Sequence, residues 1–467
     1  EDAAVSASDL NALNALTTVA VDLTNVTSLT SSSFVDLGTL GTAIVNSEFS
    51  NATGITTIAV SDTTIDATIL AESIDSIDEV NGSNTTDMTL ASGATINVEA
   101  GEVTNMLLDE TQNRLDIVDQ NIVVTGNISV DDANLLDATT EGVVTASIAT
   151  DSRVESLKTL TGTNNAYTIV VPAEDASVSA SDLNALNALT TVAVDLTNVT
   201  SITSSNLVDL GTLSTAIGLD QFSNDIGITT IAVSDTTIDA TTLASTIDEY
   251  DSINLSGTTD MTLASGATIN IDSSEISTIL GHETGSRVTI SDQNIVVAGN
   301  ISVDNANLLS ATTTGTVTAS IATTESIAEL KTLTETTNAY TIVISSADAT
   351  ATAGELLEID EKTTGTIDAG EVTAISGSFT QITALYGSGG VTGLGNENIT
   401  STENLTVAAA NVFDSLTVGT VTAVIDPTET VDSLVNLTGI NGYTIVVSNE
   451  DAAVSASDLN ALNALTT

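Results

Sequence analysis

The stretch EDAAVSASDLNALNALTT occupies residues 1–18 and occurs again, letter for letter, as residues 450–467. Between these copies, residues 174–200 repeat residues 1–27 with one substitution. Self-similarity at a fixed period is the sequence signature of repeat architectures. The chain therefore divides into a repeat unit at 1–173, a second copy at 174–346, a shortened third unit at 347–449 and the start of the next long repeat at 450–467. Because it begins at Glu1 without Met, we expect a mature product or a segment of something longer.

Each long unit divides again into shorter repeats, which we call coils. Apolar runs such as TTIAVS (56–61) and NIVVTG (121–126) predict strands, and a second small strand follows after a short polar gap. Segments with spaced leucines, such as SFVDLGTL (33–40) and SDLNALNAL (8–16), predict a helical turn or two. The predicted coil is strand, turn, strand and short helix, and six coils in 173 residues average about 29 residues each.

A coil of this length cannot bury its own apolar face, but stacked coils cover one another. The expected fold class is therefore mainly β, a repeat β-solenoid of these coils. We expect it to be curved or superhelical, because neighbouring helices need wider spacing than neighbouring strands. Tandem immunoglobulin-like β-sandwiches are the alternative. They usually centre on a buried Trp, whereas this chain has no Trp and 2% aromatic residues.

The composition excludes several classes of protein. The chain has 62 acidic and 6 basic residues and a formal net charge of -56, so it cannot form the basic patch that nucleic-acid binding requires. No apolar run approaches the roughly 20 residues of a membrane-spanning helix. With no Cys there is no disulfide framework, and the frequent Val, Ile and Leu weigh against disorder.

Four of the six cations occur at matching positions in the two long units: Arg114 with Arg287, and Lys158 with Lys331. We expect a local ion pair in each unit. One tyrosine closes each of the three units: Tyr167, Tyr340 and Tyr443. These rings are expected to fill the core or the junction between units.

The acidic excess also predicts a need for counter-ions. Closely spaced carboxylates repel one another, and salt or divalent cations reduce that repulsion. Oxygen ligands suit Ca²⁺, so acidic clusters near turns are candidate calcium ligands. The candidates are Asp75, Asp78 and Glu79, their copies Asp248 and Asp251, the pair Asp131 and Asp132, and its copy Asp304. The alternative for each cluster is a solvated face or a set of acids at a helix N-terminus.

The sequence does not predict an enzyme. His282 is the only histidine, and its counterpart in the first unit is Asp109, so the repeat does not preserve it. No Ser-His-Asp triad or phosphate loop can be assembled. Paired carboxylates, which glycosidases use, are too frequent in this chain to single out one pair.

Three stretches carry a resemblance to a known repeat type: ITTIAVSDTTIDATILAESID (55–75), TTGTIDAGEVTAISGS (363–378) and GGVTGLGNENITSTENLTVAAANVFDSLTVGTV (389–421). They resemble the tandem-repeat regions of giant cell-surface proteins of marine bacteria, notably picocyanobacteria. The likeness covers nearly the whole chain. It implies a secreted, surface-attached or filament-forming protein and supplies no catalytic residues.

The expected function is therefore structural: a repeat segment of a secreted or surface-attached bacterial fibre, sheath or surface layer. Its expected partners are itself, as a homopolymer or as adjacent repeats of one chain, and the cell envelope or surface glycans. Nucleic acid and membrane insertion are not expected. One alternative is the stalk of a large surface adhesin. Another is the non-catalytic part of a carbohydrate-active exported protein.

Overall fold

The computed structural model describes residues 2–81, 87–254, 260–451 and 453–467. Helices take up 37% of the chain and strands 26%, and the strands pair in parallel. The prediction of a mainly β solenoid is therefore wrong, and so is the alternative of immunoglobulin-like sandwiches, whose sheets are antiparallel. The fold class is α/β, with short parallel strands flanked by helices.

The helices in chain order are α1 (Ala7–Asn14), α2 (Phe34–Val45), α3 (Ala67–Asn81), α4 (Val103–Thr111), α5 (Val130–Thr139), α6 (Val154–Leu157), α7 (Ala180–Asn187), α8 (Leu207–Gly218), α9 (Ala240–Asn254), α10 (Ile276–Thr284), α11 (Val303–Thr312), α12 (Ile327–Leu330), α13 (Ala353–Asp360), α14 (Phe379–Gly387), α15 (Val407–Leu416), α16 (Val431–Leu434) and α17 (Ala456–Ala464).

The strands are β1 (Ala4–Val5), β2 (Val21–Asp22), β3 (Ser28–Ser32), β4 (Phe49–Ser50), β5 (Thr57–Val60), β6 (Thr64–Asp66), β7 (Asp87–Thr89), β8 (Thr95–Glu99), β9 (Leu115–Asp116), β10 (Asn121–Ile128), β11 (Val144–Ile148), β12 (Ala166–Thr168), β13 (Ser177–Val178), β14 (Val194–Asp195), β15 (Ser201–Ser205), β16 (Phe222–Ser223), β17 (Thr230–Val233), β18 (Thr237–Asp239), β19 (Asp260–Thr262), β20 (Thr268–Asp272), β21 (Val288–Thr289), β22 (Asn294–Ile301), β23 (Val317–Ile321), β24 (Ala339–Val343), β25 (Thr350–Thr352), β26 (Ile367–Asp368), β27 (Ala374–Gly377), β28 (Val391–Thr392), β29 (Asn398–Ser401), β30 (Val421–Val424) and β31 (Gly442–Thr444).

The chain forms two compact units, one of Glu1–Ala232 with Asp248–Thr259 and one of Val233–Ile247 with Asp260–Thr467. The first unit contains the parallel sheets β1-β3-β5-β7-β9 and β6-β8-β10-β11-β12. The second contains β18-β20-β22-β23-β24-β26-β28 and β25-β27-β29-β30-β31. Neighbours in these sheets are consecutive or nearly consecutive along the chain, as expected when each coil pairs with the next one.

Columns of stacked aliphatic residues form the core. In the first unit Ile65 pairs with Ile96, Ile96 with Ile122, and Ile122 with Val144, and all four side chains are buried. In the second unit the same column consists of Ile238, Ile269, Ile295 and Val317. The pairing distance along the chain falls from 31 to 22 residues within one column, yet the register is kept because the extra residues lie outside the strands.

Helix length explains why the prediction of a mainly β fold fails. The leucine-spaced segments of repeat unit 1–173 are helical, as predicted, but α2 has 12 residues and α3 has 15. Apolar positions continue at helical spacing beyond the predicted turn or two, for instance from Leu37 and Leu40 to Ala43, all of them buried. Several predicted strands are shorter than their apolar runs: TTVAVD (17–22) contributes only Val21–Asp22, and TTIAVS (56–61) contributes Thr57–Val60. NIVVTG (121–126), by contrast, lies within the longer strand β10.

Local caps fix where the helices begin. Ser33 precedes α2, and its Oγ accepts the backbone N–H of Asp36 at 3.1 Å. Ser129 and Ser302 do the same for α5 and α11. The serine oxygen satisfies an otherwise unpaired N–H, and where the residue three positions later is acidic, as at Asp36 and Asp132, it also places negative charge at the positive helix end.

Candidate functional site

An arginine lies at the centre of the first predicted calcium cluster. The Nη2 atom of Arg114 lies 2.7 Å from Asp75 Oδ1 and 2.7 Å from Asp78 Oδ2, and its Nη1 atom lies 2.9 Å from Asp109 Oδ1. Asp78 is buried, whereas the Asp75 side chain is largely exposed. The expected ion pair is thus confirmed for Arg114, whose planar guanidinium can bind several carboxylate oxygens at once.

The charges of this cluster do not cancel. Burial alone would lower the pKa of Arg114, but its hydrogen bonds to Asp75 and Asp78 raise it. Burial raises the pKa of Asp109, and the nearby Asp75 and Asp78 carboxylates add to that rise against the opposing effect of Arg114. One guanidinium facing three carboxylates stabilises the ionised form of those carboxylates only in part.

The other calcium candidates lie apart from this cluster. Glu79 is exposed on α3, and Asp248 is exposed on α9 beside the half-buried Asp251. Asp131 and Asp304 are exposed in the first turns of α5 and α11. Asp132 accepts a hydrogen bond from Ser129 Oγ at 2.7 Å, in the manner of an N-terminal helix acid. Within the described ranges no three acidic, His or Cys side chains converge on a position that could hold a metal, and calcium binding stays a prediction.

Carboxylates of the following coil accept hydrogen bonds from the first N–H of several helices. Asp62 Oδ2 accepts from Phe34 N at 2.8 Å, although the two residues are 28 positions apart. We call these acceptors the cross-coil carboxylates, and they are Asp62, Asp175, Asp348, Glu403, Glu429 and Asp451. Each binds a helix N-terminus of the preceding coil at 2.7–3.1 Å, where the partial positive charge of the helix favours an anion.

A buried asparagine forms a second contact between coils. Asn165 Oδ1 accepts from Val144 N at 2.8 Å, and its Nδ2 donates to Asp137 Oδ1 at 2.7 Å and to the hydroxyl of Tyr167 at 2.9 Å. Its counterparts are Asn338 and Asn441, which accept the corresponding valine N–H in the same way. Because these polar groups are buried, each asparagine fixes the register between neighbouring coils.

The three closing tyrosines are buried, which confirms that they fill the core: Tyr167, Tyr340 and Tyr443. Burial raises the pKa of Tyr340 and of Tyr443 to about 12, and it also raises that of Tyr167. The hydroxyls of Tyr167 and Tyr340 donate to backbone carbonyls of the preceding coil. These phenols are structural hydrogen-bond donors.

A threonine and a glycine form the corner where one coil approaches the next. Thr140 Oγ1 donates to Gln120 O at 2.6 Å and accepts from Gly142 N at 2.9 Å. A Cβ atom on Gly142 would collide with the carbonyl oxygen of Gln120. The same corner recurs at Thr313-x-Gly315 and Thr417-x-Gly419.

Lysines form ion pairs across two junctions between coils. The predicted lysine ion pairs therefore exist, but these two join neighbouring repeat units, whereas the sequence predicted a local pair within each unit. Lys158 Nζ lies 2.7 Å from Asp182 Oδ1 on α7, and Lys331 Nζ lies 3.2 Å from Glu358 Oε2 on α13. These hydrogen bonds raise the pKa of both lysines. The side chains are partly exposed, so the pairs contribute orientation more than stability.

Two equivalent open grooves lie beside α1–α2 and α7–α8, with volumes of about 330 and 440 Å³. Asn14 in one groove donates to Glu48 Oε2, and Asn187 in the other donates to Gln221 Oε1. The only ionisable lining residue of the first groove is thus replaced by an amide in the second. A reaction that needs a carboxylate as general acid or base could not use both copies.

Comparison of the sequence with protein-family models and with curated proteins finds no match. Among the described residues, none of the helices combines the length and the apolar character needed to cross a bilayer. The candidate functional site is therefore the set of contacts between successive coils. The cross-coil carboxylates escaped the sequence analysis because each acts on a residue some 20–28 positions earlier, a separation that varies with coil length.

Proposed function

We propose that this chain is a structural repeat segment of a secreted or surface-attached bacterial fibre, sheath or surface layer, in which strand–helix coils stack in register. No catalytic role is assigned to it. The observation that carries the proposal is the recurrence of one set of contacts between coils. The same asparagine, tyrosine and cross-coil carboxylate connect successive coils near Tyr167, Tyr340 and Tyr443.

The chemistry of these contacts supports a mechanical role. The carboxylates bind backbone N–H groups, and the asparagines bind backbone and neighbouring side chains, so these groups serve cohesion between coils. Stability of such arrays is close to a sum of nearest-neighbour terms, so length can grow without a new core. The acidic surface keeps such an array soluble and repels other copies laterally.

Immunogold electron microscopy of cells that make this chain tests the proposal. Antibodies raised against the 467-residue chain should label fibres or a continuous layer outside the envelope. Protease treatment of intact cells should remove the label and spare a cytoplasmic marker. Label confined to the cytoplasm would contradict the proposal, and isolated thin projections with label along their length would favour the adhesin stalk.

A further inference from the structure

An open groove lies between α2 and α3, with a volume of about 590 Å³. Ligand pockets in proteins commonly have volumes of roughly 300–1,000 Å³. The floor of the groove is apolar and is formed mainly by Leu37, Ile44, Ile69 and Ile77. Helix α1 packs against α2 on one side, and α4 packs against α3 on the other. The groove therefore belongs to the interior of the array of coils.

The second repeat unit fills the corresponding position with a tyrosine. Tyr250 stands where the first unit has Ile77, and its hydroxyl donates to Leu210 O at 3.1 Å. Tyr250 is 1% exposed and Ile217 is 8% exposed. Their counterparts in the first unit, Ile77 and Ile44, are only half-buried. The second unit thus buries apolar surface that the first unit leaves open.

A further hydrogen bond closes this position in the second unit. Ser214 Oγ donates to Glu249 Oε2 at 2.6 Å. The first unit has Gly41 and Ser76 at these two positions, and because Gly41 has no hydroxyl the bond cannot form there. Two copies of one repeat therefore differ at the place where the groove opens, and only substitutions at the groove distinguish an open floor from a covered one.

The shape of the floor suits the approach of another helix. Gly38 and Gly41 lie one turn apart on α2, and a Cβ atom on either glycine would meet nothing within 4 Å. Glycine is unfavourable in a helix interior, but it allows another backbone to come close. Val45 and Ile69 border the glycines and are 77% and 48% exposed. An amphipathic helix covers a floor of this kind with its apolar face.

The rim of the groove is acidic. Glu72 and Glu79 line it from α3, and both are exposed. They are seven positions apart, which corresponds to about 10 Å along a helix. The second unit has Ser245 and Ser252 at these positions. Among the described residues no lysine or arginine pairs with either glutamate, so cations that face this rim come from a partner.

We propose that the groove between α2 and α3 binds a basic amphipathic helix of another protein. The apolar face of that helix covers Ile44 and Ile77, and its Lys or Arg side chains, spaced seven residues apart, face Glu72 and Glu79. Another copy of this chain is a poor partner, because it carries a net charge of -56 and six cations in all. The site goes beyond the proposed function, since the groove binds this helix whether or not the coils assemble into a fibre.

A synthetic peptide of about 20 residues, roughly 30 Å as a helix, tests the groove on the full chain. The peptide has Leu along one face, Lys at seven-residue intervals beside it and a single Trp among the leucines. Because the chain has no Trp, the emission reports the peptide alone. At about 0.15 M salt, where the screening length is roughly 8 Å, we expect saturable binding of one peptide per chain with blue-shifted emission.

Two variants close the groove with residues that the second unit already tolerates. I77Y introduces the counterpart of Tyr250 without changing the net charge, and it should weaken binding on the order of tenfold or more, because the apolar floor is lost. G41S/S76E reproduces the bond of the second unit and adds a negative charge. General attraction between charges predicts tighter binding of the basic peptide by this variant, whereas a closed groove predicts weaker binding. Circular dichroism should show that both variants are folded.

A matched pair of variants tests the rim. E72S/E79S introduces the serines of the second unit and should also weaken binding. E99S/E141S removes two other exposed glutamates and the same amount of charge, and it should bind like the parent chain. A peptide with Glu in place of Lys should not bind.

The groove site would be overturned by any of three results. These are the absence of saturable binding to the parent chain, unchanged binding to I77Y, and tighter binding to G41S/S76E. Equal losses in the two glutamate pairs would likewise reduce the interaction to diffuse charge attraction. None of these results bears on labelled fibres at the cell surface, so failure of this site and failure of the proposed function are distinguishable.

Discussion

Replacing Asp62 by Ala isolates the energetic contribution of one cross-coil carboxylate. Its Oδ2 accepts the N–H of Phe34, the first residue of α2, at 2.8 Å, and no second partner of that side chain competes in the contacts of the described chain. Loss of a helix N-terminal acceptor costs about 0.5–2 kcal/mol, and loss of a charge at that end costs about 0.3–1 kcal/mol. Asp62 and Phe34 are half-buried, so water can replace part of the bond. We therefore expect about 1–1.5 kcal/mol.

Hydrogen exchange read by mass spectrometry is the appropriate assay, because the change is local. Peptides covering the start of α2 should exchange about five- to tenfold faster in D62A, since 1.4 kcal/mol corresponds to tenfold in an opening equilibrium. D62N keeps an acceptor oxygen and loses the charge, so it should lie between D62A and the parent chain. Peptides from α5 should be unchanged in all of these variants.

The control separates the hydrogen bond from charge repulsion. Glu72 is exposed on α3, and its removal changes the net charge by the same amount without removing a helix cap. E72A should leave α2 unchanged or slightly more protected. If D62A and E72A had the same effect on α2, the carboxylate would contribute only charge and the reasoning on coil contacts would be refuted.

Four further outcomes are expected. G142A should lower the free energy of unfolding, measured by urea denaturation, by about 1–3 kcal/mol, because its Cβ meets the Gln120 carbonyl. G41A, in open space within α2, should raise the free energy of unfolding by about 0.5–1 kcal/mol. Burial raises the pKa of Glu110 above its ordinary value of 4.5, so ionisation of this carboxyl opposes folding as the pH rises. E110Q should therefore raise the melting temperature at neutral pH but not at acidic pH. Equal gains at both pH values would contradict this. Burial raises the pKa of Tyr443 from 10.0 to about 12, so stability should fall as pH rises through that window, and less so in Y443F, as fluorescence-detected unfolding would show. If calcium neutralises the acidic surface, EDTA at about 0.01 M ionic strength should lower the melting temperature; an unchanged value would contradict the calcium prediction.

The repeat pattern predicted the stacking partners of most elements but not the class of the fold. Leucine spacing placed the start of α2 and α3 correctly, since short-range periodicity is visible in the sequence. The lengths of these helices were underestimated because small apolar residues, such as Ala43, continue the buried face beyond the last spaced leucine. Helices of 12 and 15 residues beside strands of two to five change a mainly β repeat into an α/β one.

The Arg114 cluster was within reach of the sequence. Asp75 and Asp78 recur at 248 and 251, and two of the three arginines occupy the matching positions 114 and 287, so both halves of the contact were visible as repeated features. The sequence could not show how the coil folds so that Arg114 contacts Asp78, which lies 36 positions earlier, and Asp75, which lies 39 positions earlier. Because these contacts were not visible in the sequence, the acidic residues of a strongly acidic chain were more readily interpreted as metal ligands.

Helix N-termini accommodate part of the acidic excess in a chain with six cations and 62 acids. Each helix presents the equivalent of roughly half a positive charge at its first turn, and this charge belongs to the backbone and needs no Lys or Arg. Acids occupy these ends from two directions, as first-turn residues such as Asp36 and Asp182 and as cross-coil carboxylates such as Asp62 and Asp175. Because the second set comes from the next coil, the same bonds that neutralise the acids hold the coils together. An acidic composition is therefore a means of cohesion in this repeat, and the number of such bonds grows in step with the number of coils.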